Sequence, residues 1–169
     1  MSRSIPVIDF DDFRSGDEIR LNKFIQAVGD SLKDIGFFAL KNHGIPIDLI
    51  EQSYAQGDKF FSLNAGTKSK YLQPEISHQR GYTAFGIEHA KDNPAPDLKE
   101  FWQTGRSHES TNFTPNYPLN VWPDDKVPEF KTVIDELYCQ MESLSLNLLS
   151  ACSSYLGKSE QWLGAVSYT

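Results

Sequence analysis

The sequence has little sulfur and no long apolar run. Only two cysteines occur among its 169 residues, and no apolar stretch approaches the ~20 residues that a membrane-spanning helix needs. Cys139 and Cys152 fall in one strongly helical stretch. Because a helix rises 1.5 Å per residue, their Cα atoms would lie about 20 Å apart, too far for a disulfide. We therefore expect two buried, reduced thiols and no membrane span. No secretory signal is visible near the start, which favours a cytoplasmic location.

The sequence is also poor in positive charge. Lys and Arg number 16 against 23 Asp and Glu, which gives a formal net charge of -7. Affinity for nucleic acid rests on clustered Lys and Arg, so we expect no nucleic-acid partner. Apolar residues make up 39% and charged residues 23%, a composition that excludes a disordered or fibrous chain. The length suits one globular domain with its own core.

Metal-binding motifs are missing. A non-haem iron site with two histidines and one carboxylate needs His-x-Asp or His-x-Glu together with a distant His. The four histidines are His43, His78, His89 and His108, and the residues two positions later are Ile45, Arg80, Lys91 and Ser110. None of these four is a carboxylate. Two cysteines on one helix do not make a structural zinc site either. The sequence by itself predicts no metal ligand.

Other catalytic motifs are missing too, and two groups of side chains leave alternatives open. No glycine-rich phosphate loop and no Gly-x-Ser-x-Gly nucleophile turn occurs. The stretch Asp97–Glu100 provides either an acid and a base or an ion pair at a strand edge, and the ion pair is the ordinary case. Four aromatic residues either line a pocket or pack in the core: Tyr82, Phe85, Phe101 and Trp102.

The first forty residues predict a strand, a helix and a second strand. Residues 5–10 alternate as in a short strand, and the polar stretch 11–17 is typical of a turn that ends in a helix N-cap. Apolar residues at helical spacing follow from Asp17: Leu21, Phe24, Val28, Leu32 and Ile35. Gly36 ends this helix, and residues 37–40 form a compact apolar strand. The pattern indicates a helix that covers one face of a sheet.

The rest of the sequence predicts more helices and two aromatic strands. The segments are a helix over 47–62, a short helix from Asn64 to about 71, extended segments over 80–86 and 98–105, and a helix of nearly thirty residues from about Val127 to Leu156. Gly157 fits a helix C-cap. Residues 165–169 look like the start of a strand. The predicted fold class is α/β (α+β), with helices packed on a small sheet.

Seven segments together resemble a known family. In order they are IPVIDF, GFFALKNHGIP, KFFSLNAGTKSKY, RGYTAFGIEHA, DLKEFWQTGR, NVWPDDKVPEF and SSYLG. Their order and spacing are similar to the N-terminal region of the iron(II)- and 2-oxoglutarate-dependent dioxygenases of the isopenicillin N synthase-like superfamily. The resemblance covers about residues 5–164.

The resemblance implies a division of the chain and a missing part. Residues 1–164 would form the N-terminal region, and residues 165–169 would begin the catalytic jelly roll (a double-stranded β-helix). In the family the jelly roll holds Fe(II) through His-x-Asp and a later His, and holds 2-oxoglutarate through Arg-x-Ser. Those motifs are absent, and eight strands need on the order of 80 residues. We therefore expect truncation before the jelly roll and neither Fe(II) nor 2-oxoglutarate bound to this chain alone.

The resemblance also suggests roles for single residues, none of them catalytic. Arg80 and Tyr82 match the RGY stretch, which in relatives approaches the substrate; packing or hydrogen bonding is the alternative role. His43 matches a structural turn. The remaining matches are Lys99, Glu100 and Trp102 as scaffold around the barrel mouth and Arg106 as a pocket cation.

Two functions from different classes follow. In the first, the chain is the N-terminal part of an oxidoreductase that acts on a small organic molecule, and it has no activity alone. In the second, it is a standalone non-catalytic interaction or regulatory module. The apolar surface meant for the jelly roll would then be exposed and promote self-association. Proteolysis, expression design or a premature stop would equally leave a piece of a longer gene product.

Overall fold

The computed structural model describes residues 4–92, 94–107 and 118–166. They divide into two compact units. The first combines the chain up to Ile45 with the part from Gln140 onward, and the second runs from Pro46 to Cys139. The secondary structure is a mixture of helices with two small two-stranded sheets, which confirms the predicted fold class.

The first unit places a parallel strand pair beside helices. Its elements are β1 (Val7–Asp9), α1 (Phe10–Arg14), α2 (Glu18–Asp34), β2 (Ala39–Lys41), the later part of α5 (Phe130–Tyr155) and α6 (Trp162–Val166). β1 and β2 pair in parallel, in a register that sets Val7 opposite Ala39. The strand–helix–strand prediction is therefore confirmed.

Two aspartates set where the first helices begin. Asp9 accepts a hydrogen bond from the Asp11 N–H and caps α1, a helix that lies inside the stretch 11–17 predicted as a turn. That prediction was wrong because the polar residues of so short a helix carry no periodic pattern. Asp17 accepts from two N–H groups and caps α2, as predicted. Gly36 follows α2 at φ +84, a conformation that favours glycine.

The core of the first unit lies between α2, the β1–β2 pair and α5. Its buried residues are Ile8, Phe10, Phe24, Val28 and Ala151. The predicted apolar face of α2 is correct at its centre, but Leu32 is 41% exposed. Next to Val28, Gly29 lets the ring of Tyr155 approach so closely that a Cβ there would lie 2.1 Å from Tyr155 Cδ2.

The second unit is built around aromatic rings. Its elements are α3 (Ile47–Phe61), α4 (Ala65–Lys68), two 3-10 turns (Ser69–Tyr71 and Pro74–Ile76), the antiparallel strands β3 (Gly81–Thr83) and β4 (Phe101–Gln103), and the start of α5. Phe60 is fully buried at the centre. The Trp102 ring meets it edge-on, with the centroids 4.7 Å apart. The predicted helices and extended segments of this region are all present.

The long helix and the residues after it match the prediction in part. Both cysteines lie on α5 as free thiols. Cys139 is exposed, so the expectation of a buried thiol was wrong for that residue, and Cys152 is only partly buried. Ala165 and Val166 belong to α6, where a strand was expected, and residues 167–169 lie outside the described residues. In the described part of the chain, no helix is long and apolar enough to span a membrane.

The contact between Gly29 and Tyr155 leads to a prediction. Replacing Gly29 with Ala should lower the free energy of unfolding by about 1–3 kcal/mol, because the new methyl group overlaps a packed ring. Gly57→Ala is the control: no atom lies within 4 Å of its Cβ position, and Ala should stabilise α3 by up to about 1 kcal/mol. Urea unfolding of both variants measures the effect. Equal shifts in the two variants would contradict the packing described.

Candidate functional site

A buried ion cluster, formed by Lys68, Tyr82 and Glu100, lies beside the β3–β4 pair. Lys68 Nζ donates to both carboxylate oxygens of Glu100, at 2.9 and 2.8 Å. The Tyr82 hydroxyl donates to Glu100 Oε2. The Lys68 and Glu100 side chains are only 10% and 16% exposed. A buried carboxylate with this many donors is held in one orientation.

Local structure brings the three side chains together. Asn64 caps α4 by accepting from the Thr67 N–H, and this short helix ends at Lys68. Lys68 Nζ donates a further bond to the carbonyl of Phe61 at 3.0 Å. Across the strands, Tyr82 pairs with Trp102. The cluster therefore ties α4 to β3 and to the residue directly before β4.

The cluster shifts the pKa values of its members. Burial and the hydrogen bond to Glu100 raise the pKa of Tyr82 to about 12. Burial alone would raise the pKa of Glu100, but hydrogen bonds from Lys68 and Tyr82 outweigh it, and that pKa lies below its ordinary value. Since the pKa of Glu100 is lowered, the ionised cluster stabilises the fold above the ordinary carboxyl pKa. That stabilisation is lost as the pH falls through the lowered value.

A second tyrosine–carboxylate pair lies in the same unit. The Tyr71 hydroxyl donates to Asp125 Oδ1, and burial together with this bond raises the pKa of Tyr71 to about 12. The hydrogen bond from Tyr71 lowers the pKa of Asp125. Both pairs keep a neutral phenol as a donor to a carboxylate. This arrangement suits fixed orientation rather than proton transfer near neutral pH.

Arg80 is only two residues before Tyr82, but the contacts described for it are with Gln79 and Gly105. Arg80 is 9% exposed, and its Nη1 donates to the carbonyl of Gln79 at 2.6 Å. Its guanidinium lies against Gly105, whose backbone is held by the side chain of Asn120. Sequence reasoning missed Gly105 and Asn120. The only available signal was the glycine that follows the β4 segment.

The stretch Asp97–Glu100 resolves into two roles. Lys99 pairs with Glu88 at 3.0 Å and with Asp97 at 3.2 Å, an exposed arrangement that confirms the ion-pair prediction. Glu100, one residue later, points inward to Lys68 instead. Alternation along an extended segment explains why neighbouring charges face opposite sides. Of the four aromatic residues, Tyr82 is buried and Phe85 is 58% exposed.

Of the histidines, His43 makes a hydrogen bond within its own turn. His43 Nδ1 accepts from the Ile45 N–H at 3.1 Å, within a turn that contains Asn42 at φ 54 and Gly44 at φ 85. The structural role predicted for His43 agrees with this bond. His108 lies outside the described residues. Arg106 is half-buried after β4, and its role as a pocket cation stays a prediction.

The residues present do not fit an iron site. Across the described ranges, no group of three His, Cys, Asp or Glu side chains is placed to hold a metal ion. The carboxylate of the buried cluster is engaged by Lys68 and Tyr82, so it offers no open ligand position. The Lys68–Tyr82–Glu100 cluster therefore has a structural role: it fixes the β3–β4 pair.

Removing one member of the cluster should destabilise the second unit strongly. Glu100→Gln and Lys68→Met each leave a buried charge without its partner, and we expect each to cost about 3–5 kcal/mol of unfolding free energy. The double variant should cost less than the sum, because no charge is then left alone. Lys99→Met, which removes an exposed cation, is the control with a much smaller shift. Urea unfolding gives the comparison; equal shifts for Glu100→Gln and Lys99→Met would be inconsistent with a buried pair.

Alkaline titration should show the buried phenols. The raised pKa of Tyr82 means that its stabilising contribution is complete below pH 10 and is lost between pH 10 and about 12. In an absorbance titration of phenolate, Tyr82→Phe should remove amplitude near pH 12 and leave the amplitude near pH 10. In concentrated urea all the tyrosines of the wild-type chain should instead titrate in one step at about pH 10. Loss of amplitude near pH 10 on Tyr82→Phe would contradict the buried hydrogen bond.

Comparison with known proteins identifies relatives along most of the chain. The family model for the non-haem dioxygenase in morphine synthesis, N-terminal, matches residues 5–125. The 2-oxoglutarate-dependent dioxygenase thnC of Trichoderma harzianum is 31% identical over 164 residues, which cover 96% of this chain and 51% of thnC. Proline hydroxylase buaE of Petromyces alliaceus is 31% identical over 85% of this chain and 45% of buaE. The chain thus spans about half the length of the curated relatives it matches.

Solved structures agree. A 2OG-Fe(II) oxygenase family protein from Caulobacter crescentus superposes with a TM-score of 0.79 at 27% identity, over 96% of this chain and 52% of that one. A full-length Neurospora crassa protein, solved in complex with alpha-KG, gives a TM-score of 0.75 at 28% identity, over 94% of this chain and 49% of that one. The match of the family model over most of the chain, with these relatives, shows that the chain belongs to the non-haem dioxygenase N-terminal family.

Proposed function

We propose that this chain serves as the N-terminal part of an iron(II)- and 2-oxoglutarate-dependent oxidoreductase that acts on a small organic molecule. The observation that carries the proposal is the family match over residues 5–125. Similarity to 2-oxoglutarate-dependent dioxygenases over about half of their length supports it. In such an enzyme the iron supplies oxidation by O₂ coupled to decarboxylation of 2-oxoglutarate.

The chain's own residues provide the scaffold in this proposal. The buried ion cluster fixes the β3–β4 pair, and Arg80 and Tyr82 are carried on or next to β3. Substrate contact by these two residues stays a proposal. The Tyr82 hydroxyl is engaged by Glu100, so its part in that contact would be to hold the pocket wall. For Arg80, the proposal is supported by the planar fork of donors in a guanidinium, which suits recognition of an anionic group.

The partner and location follow from the same proposal. A small molecule is the expected substrate of the whole enzyme. The name of the relative buaE, a proline hydroxylase, and a Neurospora crassa structure in complex with alpha-KG and thymine support this expectation. The excess of acidic side chains, with a net charge of -7, supports the absence of a nucleic-acid partner. The scarcity of cysteine supports a cytoplasmic location.

Catalysis should require more than these residues. The 169-residue chain, mixed with Fe(II), O₂ and 2-oxoglutarate, should release no more CO₂ than a protein-free control, because no described side-chain group holds the metal. Production of succinate from labelled 2-oxoglutarate measures this directly. Robust turnover by this chain alone would contradict the proposed division of labour.

A second observation tests the enzyme class without any assay. The coding sequence downstream of the Thr169 codon should contain an in-frame His-x-Asp and a later His. These should fall within about the length that the relatives have beyond their matched half. A stop codon in place of that sequence would exclude the enzyme and leave the non-catalytic module.

One feature favours the module as the second candidate. On the face of the β1–β2 pair that points away from Ile8, apolar side chains are exposed beside the Asp9–Lys41 ion pair. Val7 and Phe37 are each 66% exposed, and Ile5 is 58% exposed. Parallel strands are normally covered on both faces, so this surface favours association. In a purified sample, this surface would bind a second copy of the chain.

Self-association through this face is measurable. Light scattering during size-exclusion chromatography should show a mass above 19.1 kDa that increases with concentration. Phe37→Lys should reduce the mass to that of a monomer, because a charge would have to be buried. Tyr54→Lys, at a residue 74% exposed on α3, is the control and should change nothing. A monomer at all concentrations would argue against the module's proposed surface.

A further inference from the structure

The backbone of Gly105 is held at both of its polar groups by one side chain. The Gly105 N–H donates to Asn120 Oδ1 at 2.8 Å, and Asn120 Nδ2 donates to the Gly105 carbonyl at 2.7 Å. These two hydrogen bonds copy the exchange between two residues of a hydrogen-bonded antiparallel pair. The described β3–β4 ladder ends at Gln103, and two residues later the Asn120 side chain makes the two hydrogen bonds that a neighbouring strand would make.

The Arg80 guanidinium occupies the place that a side chain at position 105 would take. An added Cβ at Gly105 would lie 2.2 Å from Nη2, 2.4 Å from Cζ and 2.6 Å from Nε of Arg80. The φ of Gly105 lies outside the left-handed region, so the backbone itself does not require glycine there. What the position requires is the absence of a side chain. The guanidinium lies close against this bare backbone, and Arg80 is 9% exposed.

The other end of the contact is also fixed. Arg80 Nη1 donates to the carbonyl of Gln79 at 2.6 Å, which limits rotation of the guanidinium about its own axis. The hydrogen bond to Gln79 and the close backbone surface of Gly105 both restrict the plane of the group. A planar donor fork binds a partner more specifically when its plane is set in advance.

We propose that Gly105 and Asn120 are positioning residues for Arg80: Asn120 fixes the Gly105 backbone, and Gly105 fixes the plane of the guanidinium. The proposal rests on the proposed function for the significance of Arg80 as a substrate-facing cation. Its geometry is independent of that function. Positioning can therefore be tested on the 169-residue chain without turnover.

The experiment follows the Nε–Hε signal of Arg80 in ¹⁵N-labelled chain, assigned through loss of the signal in Arg80→Lys. Gly105→Ala should shift this signal by more than its linewidth, because the methyl group displaces the guanidinium. Asn120→Ala should shift the same signal together with the backbone amide of Gly105. An Arg80 signal that stays in place in a folded Gly105→Ala chain overturns the proposal.

Two controls separate positioning from a general effect on the fold. Gly57→Ala adds a methyl group where no atom lies within 4 Å. Asn147→Ala removes a side-chain hydrogen bond elsewhere in the chain, from Asn147 Nδ2 to the Ser143 carbonyl on α5. Both should leave the Arg80 signal unchanged. A shift of equal size in either control would overturn the assignment to Gly105 and Asn120.

A rescue covers the case in which Gly105→Ala does not fold. The double variant Arg80→Ala/Gly105→Ala removes the group that the methyl would strike, so it should fold and give the same urea midpoint as Arg80→Ala alone. A double variant that also fails to fold, or that unfolds at much lower urea, shows that the methyl strikes something other than Arg80 and overturns the proposal. An enzyme assay that contradicts the proposed function would leave these results unchanged.

Discussion

Burial of one carboxylate constrains the second unit more than any other interaction described. Glu100 accepts hydrogen bonds from Lys68 and Tyr82 in a setting where water screens little, so the three groups must arrive together. Lys68 ends α4, Tyr82 lies on β3, and Glu100 precedes β4. The strands are only three residues long, and backbone pairing of that extent is marginal by itself. The cluster therefore helps to fix which residues of β3 and β4 face each other.

The β3–β4 ladder also positions the residues at its ends. β3 follows directly on Arg80, and β4 leads to Gly105, so a fixed register sets the two residues against each other. The aromatic core reinforces this arrangement, since Phe60 meets Tyr82 on one strand and Trp102 on the other. In the described part of the chain, this scaffold fixes side chains without grouping metal ligands.

Sequence patterns predicted the long helices and the extended segments, and they failed at two five-residue helices. The periodic apolar stripes found α2, α3 and α5, because repeated spacing over many residues leaves a clear pattern. The five-residue helix α1 was missed, and Ala165 and Val166, which end α6, were expected to begin a strand. A helix of one turn carries too few residues to show a period. Its existence depends on caps such as Asp9 and on packing.

The sequence by itself determined the class of protein: the ordered family segments, the helix stripes and the absence of His-x-Asp are all written in residue order. Only the tertiary structure decided what the charged and small residues do. Lys99 and Glu100 are adjacent and equally charged in magnitude, yet one is exposed and the other buried. Gly105 and Arg80 meet across 25 positions, and no local pattern encodes such a contact. Periodicity records which face of an element is apolar, whereas the partner of a single polar group is set by which distant segment packs against it.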